Sequence, residues 1–395
     1  MSQYIILRRR SASIGAGVAN RLKFETLGAA GENTEWGLSI EQAEPKQAAQ
    51  FANDPDVDLV ARTMPTALIR PVDMATYAPL AATKPGAAWG IEYVGAHRSG
   101  MNGEGITIAV LDTGIDRTHP AFKGVDVVEK DFSGSGNGDR QGHGTHCAGT
   151  IFGRDVNGVR IGVARGVQRA LIGKVLDDEG AGESEMVFQG LLWALREHAD
   201  IISMSLGFDF PGLVRRLTQA KWPLELATST ALESYRNNLR MFDAIMNVLH
   251  ANKNFGKEPL VVAAAGNESQ RETNPSFKIA ASLPAAAMNV MSVAAIDQAG
   301  SIAKFSNTHA ALSAPGVDIL SAWPGNQFHS ISGTSMACPH VAGLAALWWQ
   351  FQRQQGTTAN ATIVKSLLLA SLERERLGPE FDETDFGLGL AVAPS

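Results

Sequence analysis

The chain has 395 residues, 45% of them apolar and 19% charged, the balance of a soluble globular protein with room for one large domain and a small one. Its formal charge of −6, without a basic stripe, argues against a nucleic-acid partner, and only two cysteines, Cys147 and Cys338, leave no disulfide framework. No stretch approaches the ~20 apolar residues of a membrane span, and MSQYIILRRRSAS lacks the order of a secretory signal, so a reducing, cytoplasmic location without membrane contact is expected.

Residues 1–76 read as a small α+β domain. Strands are predicted over 4–7 and 35–40, a helix opens at Pro45 and runs to 51, and a third strand covers 57–62. The run Arg8-Arg9-Arg10 reads as the solvated end of a strand. Residues 77–88, YAPLAATKPGAA, have no periodicity and form the predicted linker. From 89 to 395 the pattern changes. Residues 106–111, ITIAVL, are apolar enough for a buried parallel strand, followed by an amphipathic helix over 185–198 and a strand over 201–206. A second helix over 230–252 carries Phe242, Ile245, Met246 and Leu249 on one face and leads to a strand over 260–264. Repeated βαβ units predict an α/β fold: a doubly wound, mainly parallel sheet with helices on both faces and its ligand at the carboxyl ends of the strands.

Three polar residues fall where chemistry is expected. Asp112 follows the strand ITIAVL, His143 sits in the glycine-lined GHGTH, and Ser335 lies in GTSMACPHVAG just before a helical pattern, with Pro339 marking its first turn. A serine hydroxyl needs a base to take its proton, and the base needs a carboxylate to orient it. The order Asp, His, Ser is one of the three known chain orders of that triad, and a helix start beside the serine favours an oxyanion. The alternative is a zinc hydrolase site at His143 and His146. It lacks the glutamate of a zinc-peptidase helix and a third ligand, so His146 reads as a structural histidine and Cys147 as a small buried hydrophobe.

The stretches AVLDTGID, GHGTHCAGT, SMSLG, AAAGN, FSNTHAALSAPGVDILSAWPG and GTSMACPHVAG together resemble the subtilisin-like serine peptidases, and HGTHC resembles their proteinase K branch. The resemblance runs from about residue 89 to 392. It implies a serine endopeptidase acting on protein or peptide substrates. Asp112 would orient, His143 act as base, Ser335 as nucleophile, and Asn267 donate to the oxyanion. It also implies that Ser205, Leu206 and Gly207 pair with substrate backbone, that Ser282 floors the first specificity pocket, and that the Cys147 sulfur lies beneath His143, which would make the enzyme sensitive to thiol reagents. The N-terminal domain resembles the inhibitor-type propeptide of the family. That implies an intramolecular inhibitor and folding aid whose tail occupies the cleft, with self-processing within 77–88.

The chain departs from the family in two places. About 208–230 is an insertion, expected to form a lid or exosite that narrows the substrate range. Ala121 stands where a calcium-ligating carboxylate is familiar, leaving Asp155 and Asn157 as oxygen ligands, so calcium is allowed but not required. Two other readings are a peptide macrocyclase, in which an amine resolves the acyl-enzyme, and a catalytically silent binding domain. A cytosolic setting and the insertion fit the first, and the full set of catalytic residue types opposes the second.

Overall fold

A computed structural model of the chain describes residues 2–11, 25–29, 34–72, 78–79, 85–251 and 258–395. Its centre is a seven-stranded parallel sheet in the spatial order Leu312–Pro315, Met291–Ile296, Leu260–Ala264, Ile201–Met204, Thr107–Asp112, Arg169–Lys174, Asp126–Asp131. The side-chain period of two divides each strand between two cores. Ile108 and Val110 face one core with the helices His143–Phe152 and Thr334–Gln354, while Ala109 and Leu111 face another with Ser184–Arg196 and Leu224–Ala251. This is the expected doubly wound architecture. The strand Thr107–Asp112 lies where the chain turns first to one side of the sheet and later to the other, the switch point at which such sheets open a crevice.

The first 62 residues hold a four-stranded antiparallel sheet in the order Glu25–Ala29, Thr34–Ala43, Ser2–Ser11, Val57–Arg62. The helix Pro45–Phe51 covers one face through Tyr4, Ala43 and Ala48. The opposite residues, Ile5, Leu7, Leu38 and Ala61, are buried in the same core as Met241 and Phe242 of the large unit. Asn238 of the long helix donates to Arg62 O at 2.8 Å, fastening the two together. Arg8 differs from its expected solvated state: its guanidinium bonds Asp54 at 2.9 Å and Glu41 at 3.4 Å. The helix expected from 230 begins at Leu224, and a separate helix, Phe210–Gln219, occupies the insertion. No helix among the described residues is long and apolar enough to cross a membrane.

Candidate active site

Asp112 is the last residue of the central strand, and His143 opens the helix His143–Phe152. The two approach closely because a Cβ on Gly144 would overlap the carbonyl of Gly114 in the turn after the strand, so only glycine permits the contact. The imidazole Nδ1 lies 2.8 Å from Asp112 Oδ1 and 3.0 Å from Oδ2, and both side chains are fully buried. Thr113 N–H donates to the same Oδ1 at 2.7 Å. A carboxylate at Nδ1 keeps the ring proton there, so Nε2 presents its lone pair. Nε2 is buried and has no partner, which leaves it free to receive a proton.

Beneath this pair lies a second carboxylate that the sequence reading did not single out. Asp139 Oδ1 accepts from Thr113 Oγ1 (3.0 Å), Gln141 N (3.1 Å) and Gly142 N (2.8 Å), and Oδ2 accepts from Thr145 N (2.9 Å) and Thr145 Oγ1 (2.6 Å). Thr113 Oγ1 in turn accepts from Gly144 N at 2.9 Å. One carboxylate therefore ties the strand end holding Asp112 to the helix start holding His143. The available signal was an acidic residue four positions before the histidine.

Ser335 is the second residue of the helix Thr334–Gln354, which starts earlier than the sequence pattern suggested and places Pro339 beyond the first turn. Pro339 has no N–H to offer the carbonyl four residues back. That carbonyl, Ser335 O, accepts instead from Cys147 Sγ (3.4 Å) and Ser205 Oγ (3.2 Å). Asn267 follows the strand Leu260–Ala264, and its Oδ1 accepts from Thr334 N and Thr334 Oγ1, each at 2.9 Å. Those two donors turn its Nδ2 toward the groove.

The groove is already filled. The strand Pro65–Leu68 runs between Ala181–Glu183 and Leu206–Phe208 as the middle of a three-stranded antiparallel sheet, and Leu68 N donates to Gly180 O at 2.8 Å. Leu206 and Gly207 thus lie on a pairing edge, and Ser205 stands just before it. The Ile69 side chain lies close to Gly207 and Ser282, since a Cβ on Gly207 would be 3.7 Å from Ile69 Cγ1 and 3.8 Å from Ser282 Oγ. Ser335 O–H donates to Ile69 O at 3.1 Å, whereas Asn267 Nδ2 donates to Arg70 O at 3.0 Å. The described parts of 77–88 lie elsewhere: Ala78–Pro79 pairs with the strand Gln327–Ile331 and Gly86–Ala87 with Val159–Arg160. The described residues that meet Ser335 and Asn267 are thus Ile69 and Arg70, while residues 77 and 80–84 of the stretch expected to be processed fall outside the described set.

His146 Nε2 bonds the carbonyls of Ile319 (2.9 Å) and His329 (3.1 Å), and burial pushes its pKa down to about 3, as befits a neutral structural histidine. Cys147 Sγ is 3.7 Å from His143 Nδ1. Burial, and then the Asp112 charge, push the thiol pKa well above its ordinary value. Asp112, His143 and Cys147 bring ligand atoms within 4.8 Å of one another, but the ring proton faces the carboxylate and the thiol keeps its own, so the set does not fit a metal. In the loop proposed for calcium, Asp155 is paired with Arg165 at 2.5 Å, and Arg154 donates to Val167 O at 2.6 Å. One of the two expected oxygen ligands is thus already met by a guanidinium.

The Subtilase family profile matches residues 103–389. The chain is 38% identical to a thermostable alkaline protease of Halalkalibacterium halodurans, over 66% of this chain and 62% of that protein. It is 34% identical to the major intracellular serine protease of Bacillus subtilis, over 74% of this chain and 82% of the relative. Subtilisin BL of Lederbergia lenta is 36% identical over 66% of the chain and 82% of its own length.

Proposed function

The chain belongs to the subtilase family and is a subtilisin-like serine protease, and from that premise we propose that Asp112, His143 and Ser335 form its triad, cleaving peptide bonds through an acyl-enzyme. One observation supports this assignment: the His143 imidazole is held by Asp112 on one side and bare at Nε2 on the other, and Cys147 Sγ, 3.7 Å from its Nδ1, bonds the carbonyl of Ser335 at 3.4 Å. Ser335 Oγ attacks the carbonyl carbon while His143 Nε2 takes its proton, and the imidazolium later returns that proton to the leaving amine. Asn267 Nδ2 and the Ser335 N–H stabilise the oxyanion; the Asn267 amide is oriented in advance by Thr334, so little reorganisation is left for the transition state. Extended substrate pairs with Leu206 and Gly207 as the strand Pro65–Leu68 does, with Ser282 below its first side chain.

The N-terminal region acts as an intramolecular inhibitor. Attack requires nucleophile and oxyanion donor to converge on one carbonyl. Here the hydroxyl meets Ile69 O and the amide meets Arg70 O, and the next residue is Pro71. Segment 65–71 thus blocks the groove in a register that does not react. Two buried free thiols and the name of the Bacillus relative favour work inside the cell.

The test is labelling by a fluorophosphonate, with hydrolysis of an unfolded protein as readout. The wild-type chain labels at Ser335 and cleaves, and Ser335→Ala does neither. Cleavage undiminished in Ser335→Ala would end the assignment.

A further inference from the structure

Lys174 is the last residue of the strand Arg169–Lys174, level with Asp112 on one neighbouring strand and Asp131 on the other, and it is 1% exposed. A buried ammonium is costly unless it is paired and hydrogen-bonded. Its Nζ donates to the Thr113 carbonyl at 2.5 Å and to Asp178 Oδ1 at 2.9 Å. Asp178 lies at the rim, with a side chain 21% exposed and Arg140 3.3 Å from its other oxygen. The hydrogen bond from Lys174 holds its carboxyl below the ordinary carboxylate range. Water and Arg140 both reach that carboxylate, so its neutralisation does not require a cation drawn from the interior. Thr113, by contrast, is fully buried.

Thr113 stands between the residues proposed for catalysis. Its N–H donates to Asp112 Oδ1, its hydroxyl donates to Asp139, and the same hydroxyl accepts from Gly144 N in the helix of His143. The neighbouring strand end holds the peptide units on either side. Asp112 O accepts from Val175 N at 2.9 Å and Leu176 N at 3.2 Å, and Thr113 O accepts from Lys174 Nζ. Any sequence supplies the two backbone donors, whereas the third depends on the lysine. We propose that Lys174 is a positioning residue for peptide hydrolysis, fixing through the Thr113 carbonyl the turn that presents Asp112 to His143, an inference that rests on the triad reading above. Its charge also falls among Asp112 and Asp139, two buried carboxylates joined through Thr113, and offsets their mutual repulsion. Without the ammonium, Thr113 O is a buried acceptor with no donor. The 113–114 peptide then turns toward one, and the N–H that sets the angle of Asp112 turns with it. A misplacement of about 1 Å in such a pair costs up to about 100-fold in rate. Lys174 acts through Thr113 and Asp112 alone, so turnover falls and substrate binding is spared.

The experiment uses the full chain, a peptide anilide and thermal melts on wild type, Lys174→Met, Asp178→Asn and the double variant Lys174→Met/Asp178→Asn. Methionine keeps the apolar stem but offers no donor. Rates are taken at temperatures where the melts show folded protein. Segment 65–71 occludes the groove in every variant alike, which raises apparent KM in common and leaves kcat comparable. Lys174→Met should lower kcat about 10–100-fold with KM within about 3-fold of wild type. Asp178→Asn should stay within about 3-fold of wild type in both. The double variant removes the stranded carboxylate, so its melting temperature returns to within a few degrees of wild type while kcat stays at the Lys174→Met level. That variant keeps the test decisive where Lys174→Met alone folds poorly. A kcat that recovers with the melting temperature in the double variant reduces Lys174 to a stabilising ion pair and overturns the proposal. So does wild-type kcat in Lys174→Met, a change confined to KM, or an equal loss of kcat in Asp178→Asn. A wild-type chain that neither cleaves the anilide nor labels at Ser335 with a fluorophosphonate overturns instead the triad reading on which the proposal stands.

Discussion

Replacing Glu185 by glutamine is expected to stabilise the protein at alkaline pH and to do nothing in acid. Glu185 stands in the first turn of the helix Ser184–Arg196, 7% exposed, with Oε2 buried and without a partner. Burial raises its pKa to about 7 from an ordinary 4.5; the charge of Glu183 adds to this, while its own N–H and Arg216 oppose it. The folded chain therefore holds a proton that the unfolded chain has lost between those two values. Stability falls as pH rises through that window and is level outside it. At about 1.36 kcal/mol per pKa unit the cost at pH 8 reaches roughly 3 kcal/mol, an upper bound because local rearrangement relieves part of it. Glutamine never ionises and keeps the shape. Thermal melts of both proteins across about pH 4–8 should coincide at the acid end and diverge by a few degrees at the alkaline end, because other titrating groups cancel in the difference. A gap that is constant with pH, or a variant less stable at pH 8, would refute the reasoning.

Asp139→Ala leaves five donors facing a cavity and should cost about 3–5 kcal/mol in melts, with kcat falling about 100-fold while KM changes less. A variant as active as wild type at temperatures where it is folded would remove Asp139 from its positioning role. Leu68→Asp places a charge where Leu68 now packs against the Leu206 core, so initial rates of peptide hydrolysis should rise by at least about 10-fold as segment 65–71 leaves the groove. Unchanged rates would contradict intramolecular inhibition. Cys147 is fully buried and its thiol pKa is raised, so iodoacetamide should modify the native chain at least about 100-fold more slowly than the unfolded chain, as counted by mass spectrometry. Rapid alkylation of native protein would show that the region beneath His143 opens.

The residues proposed to carry chemistry were legible because each adjoins a short, strongly patterned stretch. Asp112 ends an apolar strand and Asn267 follows one closely, and His143 and Ser335 begin helices among small residues. The contents of the groove were not legible. Pairing of Pro65–Leu68 with strands more than a hundred residues away depends on long-range register, which local pattern does not encode. Arg8 looked solvated because its partners Asp54 and Glu41 are distant in sequence. The inserted helix was obscured by Pro211, which reads as a breaker but sits in the first turn, where proline is tolerated.

The proline in the helix that carries Ser335 has a mechanical consequence. Elsewhere in a helix a carbonyl is bound to its own strand of backbone and is closed to neighbours. At Ser335 that atom is shared, and through it the helix of the proposed nucleophile is moored both to the helix bearing the proposed base, by Cys147, and to the groove edge, by Ser205. Any other residue at position 339 would bring an amide hydrogen to the same oxygen and turn a common mooring into a private bond, letting the three parts drift independently while the fold stays whole.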